Sequence, residues 1–170
     1  MDKYPILIFV RGLPGSGKSS ISLELSKFVN GKIIDPDMLE AKLPKSLRSE
    51  RLRKFRACVR KTKGYLKEGK NVIWCQPFRK PQNIELLVNM LERKSSNTFL
   101  MDISIPLEVS WIRSKGNFHN ERETFDDFVS KYSSIANSCT IPVLKLNGED
   151  KIASNVDKIL AFIRYNISNE

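Results

Sequence analysis

A chain of 170 residues with 41% hydrophobic content can cover both faces of one sheet, so a single domain over residues 1–170 accounts for it. No apolar stretch approaches the length of a membrane span, and the start Met1-Asp2-Lys3-Tyr4-Pro5 is too polar for a signal peptide, so a cytoplasmic protein is expected. The net charge of +10 favours anionic partners. Much of that excess falls in Arg48, Arg51, Arg53, Lys54, Arg56, Arg60, Lys61, Lys63 and Lys67. The cluster lacks the aromatic interleaving of single-strand binders, which weighs against nucleic acid. It reads either as a solvated helix face or as cations for a second polyphosphate-like ligand. Cys58, Cys75 and Cys139 are odd in number and widely spaced, which argues for packing thiols over a disulfide framework or a zinc site.

Along the chain, apolar runs alternate with helical patterns, the signature of a parallel sheet with helices on both faces. The first strand, expected over 5–11, runs into Gly12-Leu13-Pro14-Gly15-Ser16-Gly17-Lys18-Ser19, which fits the phosphate-binding pattern G-x-x-x-x-G-K-[ST] without exception. Its glycines let successive N–H groups face one point, and the helix expected over 18–30 adds its positive end there. Ile21, Leu23, Leu25, Phe28 and Val29 supply that helix's apolar positions. Lys18 places a charge beside the β- and γ-phosphates of a nucleotide, and the Ser19 hydroxyl can take one site on Mg²⁺. Gly12 through Ser20 are therefore expected to bind ATP.

The second strand, over 32–35, ends at Asp35-Pro36-Asp37. Asp35 and Pro36 resemble an N-cap and first helical position opening a short helix through Leu43. A basic helix over 46–68, a strand over 71–75 and a helix over 81–94 follow. Then come a strand over 97–102, a helix over 106–114, a strand over 142–146 and a helix over 151–165. The polar stretch 114–124 reads as a mobile surface loop, where a phosphoryl transferase carries its lid. The expected architecture is a three-layer α/β domain with five parallel strands ordered 2-3-1-4-5 and ligands at their carboxyl ends.

Motor and helicase P-loop proteins end a later buried strand with an acid that serves Mg²⁺, whereas Asn71-Val72-Ile73-Trp74-Cys75-Gln76 ends without one. Asp102 follows Phe99-Leu100-Met101 but has no acidic partner in Ile103 to Pro106, and no Asn-Lys-x-Asp guanine-reading segment occurs. The small kinases remain, with a carboxylate after the second strand facing the acceptor hydroxyl. Asp37 fits the general base, because Asp35 already occupies the cap position; Asp35 is either that cap or a group that orients the hydroxyl or the Mg²⁺ water shell.

These motifs together resemble the adenylyl-sulfate kinase family from Ile6 to about Arg122. The family's Gly-Leu-Ser-Gly-Ser-Gly-Lys-Ser-Thr loop is similar to Gly12 through Ser20, and its Leu-Asp-Gly-Asp-Asn segment to Ile34 through Met38. Its Ser-Pro-Tyr-Arg motif resembles Gln76-Pro77-Phe78-Arg79, and its Pro-Leu-Glu-Val run Pro106 through Val109, with Arg113 and Lys115-Gly116 beyond. The resemblance implies ATP-dependent phosphorylation of the 3′-hydroxyl of a nucleotide, with Lys18 and a lid cation, Arg113 or Lys115, neutralising transition-state charge. It implies an acceptor site from Asp37, Arg51, Lys54, Arg56, Trp74, Gln76, Pro77, Phe78, Arg79, Lys115 and Phe118, and leaves room for a homodimer.

The departures sit on the acceptor side. Lys54 stands where the family has asparagine, Trp74 where it has the phenylalanine that stacks on the acceptor base, and Gln76 where it has serine. The lid motif is shortened to Arg113-Ser114-Lys115-Gly116-Asn117-Phe118. Trp74 is either a stacking platform or a core aromatic, and Gln76 could read either base edge. The changes fit a different nucleotide conjugate as acceptor, cytidine diphosphoramidate, with adenylyl sulfate as the alternative. A polynucleotide or small-metabolite kinase, and a nucleotide-binding module without catalysis, are further alternatives.

Overall fold

The computed structural model describes residues 4–36, 48–93, 97–133 and 139–168, with the side chains of 48–52 left out. Five parallel strands form one sheet in the order β2-β3-β1-β4-β5, as expected. They are β1 (Leu7–Gly12), β2 (Gly31–Ile34), β3 (Asn71–Cys75), β4 (Thr98–Ser104) and β5 (Val143–Asn147). The helices are α1 (Lys18–Val29), α2 (Arg48–Lys67), α3 (Gln82–Met90), α4 (Leu107–Ser114), α5 (Arg122–Ser130) and α6 (Ile152–Ser168). No helix among the described residues is long and apolar enough to cross a membrane.

Side chains alternate across a strand, and in this sheet both faces are covered. Leu7, Phe9, Val72, Trp74 and Leu100 pack with Cys58, Val59 and Leu66 of α2 and with Ile84 and Leu87 of α3. On the other face Ile8, Val10, Ile73, Phe99 and Met101 pack with Ile21 and Leu25 of α1 and with Val156, Ile159 and Ile163 of α6. Two of the expected α1 core positions do not join: Leu23 is 59% and Phe28 61% exposed. The buried positions of α1 are Ile21, Ser22 and Leu25, with Val29 partly buried against the same core.

The region after α4 departs furthest from expectation. The connection expected over 114–124 is an exposed 3₁₀ turn, Lys115–Phe118, and a reversal at 119–121, with the unexpected helix α5 beginning at Arg122. His119 and Asn120 make the reversal with φ of 54° and 62°. Phe125 is the anchor: its ring lies 5.4 Å from Trp111 and 5.3 Å from Phe118, and Phe118 also meets Phe128 at 5.8 Å. Phe125, Phe128 and Val129 recur at helical spacing, a signal masked by the charged residues around them. Arg122 bridges Glu108 of α4 at 2.8 Å and Asp126 at 2.9 Å, fixing α5 against α4.

Candidate active site

At the carboxyl end of β1 the chain turns through the phosphate loop by means of two glycines in the left-handed region, Gly15 at φ 74° and Gly17 at φ 93°. Glycine is required at Gly15 twice over, because a Cβ there would lie 2.8 Å from Arg113 Cβ and 3.0 Å from Ser110 O. A Cβ on Gly12 would lie 2.5 Å from Ser16 Oγ and 2.7 Å from Ile103 O, so the loop can return over the strand only above a bare backbone. Gly17 caps α1 with nothing within 4 Å of a Cβ, on the open side where a phosphate would approach the helix end.

The loop is braced from two other elements. Ser110 Oγ of α4 donates to Pro14 O at 2.7 Å. The turn after β5 presses Gly148 onto the loop so closely that a Cβ would lie 2.6 Å from Ser16 O. Arg113 joins these supports by donating from Nη1 to Gly148 O at 3.1 Å, which places this expected ATP-binding cation beside the loop. Gly148 and the turn around it were not legible in the motif, since Asn147-Gly148-Glu149-Asp150 reads as an ordinary turn.

Lys18, in the first turn of α1, donates from Nζ to Leu13 O at 2.9 Å. The Ser19 hydroxyl lies 3.9 Å from Cys75 Sγ at the end of β3. Burial pushes the Cys75 thiol up and the Asp35 carboxylate pushes it further, while the Ser22 hydroxyl, then the Lys18 ammonium and the Ser19 hydroxyl, act the other way. Ser19 thus touches a buried thiol at the carboxyl end of β3. Asp35 also raises the Cys58 thiol of α2, behind burial as the main cause. Pro36 is helical, consistent with Asp35 at a helix start. Asp37 lies outside the described residues.

Among the expected acceptor residues, the structure corrects the sequence reading at two rings. Trp74 is 0% exposed: it lies in the α2 and α3 core, 6.0 Å from the Phe55 ring, and is closed to a stacking base. A residue inside a strand covered on both faces has no outward face, whatever its chemistry. Phe78 is likewise buried, edge-on to Phe9 at 5.6 Å, with the unusual φ of 45°. Phe118, on the 3₁₀ turn, is half-buried, with its ring beside Phe125 and Phe128.

Gln76 and Pro77 are half-buried, and Gln76 Oε1 accepts from Trp74 Nε1 at 3.1 Å. Arg79 is exposed, its guanidinium 5.4 Å from the Phe128 ring centre. On α2, Lys54 is half-buried and Arg56 exposed, while the side chain of Arg51 is outside the described residues. Lys115 is exposed on the 3₁₀ turn.

A family model described as an AAA domain matches residues 7–133. The chain belongs to the AAA domain family. Solved structures agree with this assignment at the level of fold. A gluconokinase from Sinorhizobium meliloti superposes with a TM-score of 0.69 at 15% identity, over 98% of this chain and 96% of that chain. Kti12 from Chaetomium thermophilum, in complex with ADP-AlF3, does so with a TM-score of 0.68 at 18% identity, over 92% of this chain and 98% of that one. The APS kinase of Mycobacterium tuberculosis, in complex with AMPPNP and APS, gives 0.66 at 15% identity, over 95% and 98%. No curated protein matches the sequence. This AAA domain protein therefore has a P-loop kinase-like nucleotide-binding fold, one that the adenylyl-sulfate kinases share with kinases of other names.

Proposed function

We propose that the protein is an ATP-dependent kinase that transfers the γ-phosphoryl group to the 3′-hydroxyl of a nucleotide conjugate, with cytidine diphosphoramidate as acceptor and adenylyl sulfate as the alternative. The observation that carries the catalytic reading is the phosphate loop itself: two left-handed glycines, Gly15 and Gly17, turn the chain onto the end of α1, with Lys18 and Ser19 in that helix's first turn. Phosphoryl transfer asks for positioning and charge compensation more than covalent chemistry, and these groups provide both. Backbone N–H groups of the loop and the end of α1 bind the β-phosphate, and Lys18 meets charge as it develops on the transferring group. Asp37 takes the proton of the acceptor hydroxyl. Arg113, anchored beside Gly15, and Lys115 on the following turn supply cations from the lid side.

Ser19 and Asp35 offer hard oxygen donors of the kind Mg²⁺ accepts, few enough to leave the ion its waters and phosphate oxygens. Bound there, Mg²⁺ would neutralise charge on the β- and γ-phosphates.

The acceptor reading rests on Arg79, Arg56, Arg51 and Lys54 as cations for the conjugate's phosphates, and on Gln76 for the base. With its Oε1 engaged by Trp74, Gln76 has its Nε2 donor to offer, and both cytosine and adenine carry acceptor atoms that it could meet. Base preference is therefore a matter for kinetics. ATP turnover is to be measured with cytidine diphosphoramidate, adenylyl sulfate, a short oligonucleotide and no acceptor. The proposal expects the highest kcat/KM with the cytidine conjugate. Equal or higher efficiency with adenylyl sulfate would return the chain to sulfate activation, preference for the oligonucleotide would make it a polynucleotide kinase, and no acceptor-dependent turnover would leave a nucleotide-binding module.

A further inference from the structure

Arg11, the residue before the phosphate loop, is 1% exposed, and a guanidinium so deeply buried must have its donors occupied. Nη1 meets Asp102 Oδ1 at 2.9 Å, across the register in which Arg11 and Asp102 are direct neighbours on β1 and β4. Nε donates to Phe78 O at 2.8 Å. Nη2 donates to Ser133 O, and the guanidinium plane lies 4.1 Å from the ring centre of Tyr132. One planar fork thus joins four pieces of chain: the strand that bears the phosphate loop, β4, the segment after β3, and the segment after α5.

Two of those pieces also hold each other. Ser133 N donates to Arg79 O at 2.8 Å and Ser133 Oγ to the same oxygen at 3.2 Å, while the Arg79 side chain rests on Phe128 of α5. Phe78 takes its left-handed conformation at the point where its carbonyl meets Arg11, with its ring in the core and Arg79 on the surface. A non-glycine residue holds such a φ only where its surroundings impose it.

From this geometry we infer that Arg11 is a positioning residue: it sets the place of the Gln76–Arg79 segment and of the chain after α5 relative to the phosphate loop, and so the distance between donor and acceptor sites. The inference rests on the proposed reading of Gln76 and Arg79 as acceptor residues. Asp102 is the counter-charge of this clamp and has a task other than serving a metal. A buried pair could instead be structural only, and the chemistry of the fork separates the two roles. Lysine keeps the charge for Asp102 but, as a point charge, cannot donate to both carbonyls and stack on Tyr132 at once.

The test compares Arg11→Lys with wild type by backbone hydrogen exchange of the whole protein, by ADP affinity, and by kinetics with cytidine diphosphoramidate and adenylyl sulfate. Expected are faster exchange in the peptides covering 76–80 and 130–133, unchanged protection in β1 and β4, and ADP affinity within about twofold. With whichever acceptor is phosphorylated, its kcat/KM should fall on the order of 10- to 100-fold, as misplacement by an ångström can do. Tyr132→Leu, which removes the ring beneath the guanidinium, should show the same pattern more weakly. Unchanged exchange in both segments, or equal losses of ADP and acceptor affinity, would overturn the inference. If wild type phosphorylates neither acceptor, the acceptor reading fails, and the exchange pattern still decides what Arg11 does.

Discussion

The two sides of the proposed site would be built from different materials. On the donor side the working parts are backbone N–H groups presented by glycines and one helix end, and the few side chains that matter follow in consecutive positions. On the proposed acceptor side the parts would be side chains carried by α2, by the segment after β3 and by the turn after α4, elements far apart in sequence. A backbone-built site tolerates little sequence change without losing its motif. A side-chain-built site can be rearranged residue by residue on an unchanged fold.

The sharpest test of that contrast is Lys18→Ala. Removing the charge aimed at the transferring group should lower turnover by about 10²- to 10⁴-fold while the melting temperature stays near that of wild type. Turnover close to wild type would detach the phosphate loop from catalysis. Next come the two carboxylates. Asp37→Asn should lower kcat by about 10²-fold or more with ATP affinity retained, since it removes proton acceptance at constant size. Asp35→Asn should instead raise the Mg²⁺ concentration needed for half-maximal rate, with a stability loss of about 1 kcal/mol or less from the cap. Titrating Mg²⁺ against rate for both variants separates them, and identical Mg²⁺ dependence in Asp35→Asn and wild type would remove Asp35 from the metal.

On the acceptor side the expected effects are on stability first. Trp74→Ala should cost about 3–5 kcal/mol by denaturant titration, because it empties a core position and not a binding face. A loss under 1 kcal/mol coupled to a large rise in acceptor KM would restore the stacking role. Gln76→Ala leaves the indole N–H without its partner and should cost about 1–3 kcal/mol.

How much of this was legible beforehand follows the same division. Five strands, their order and the loop from Gly12 to Ser19 were readable because buried parallel strands are continuous apolar runs and the loop is a local motif. Trp74 was misplaced because a motif alignment says which position a residue occupies and not which way it points; the covered sheet decides that. α5 was missed because three apolar residues carry it among nine, and their partners Trp111 and Phe118 come from earlier in the chain. Nothing local marks Arg11, the last residue of the expected first strand, since its partners at 78, 102 and 133 share no sequence pattern.

The smallest expected effect concerns the thiols. Burial raises Cys58 and Cys75 above the ordinary value of 9.0. Both stay protonated in the folded chain at pH values where the unfolded chain already ionises. Their contribution is complete below about pH 9 and is lost as pH rises through the folded values. Thermal melts between pH 7.5 and pH 10 should show this decline, and Cys75→Ala should flatten it. An unchanged slope in the variant would remove Cys75 from the effect.

Gly148 bears on how the domain can be cut. The matching family model stops at residue 133, and a fragment ending there would carry every recognisable motif. Yet the wall against which Ser16 O rests, and the carbonyl that holds Arg113, come from the turn at 148, on a strand paired to β4 and a helix packed on α1. Such a truncated protein would display a complete signature and lack the surface that shapes it, so expression boundaries, fusions and circular permutations of this domain must keep β5 and α6 with the loop they support.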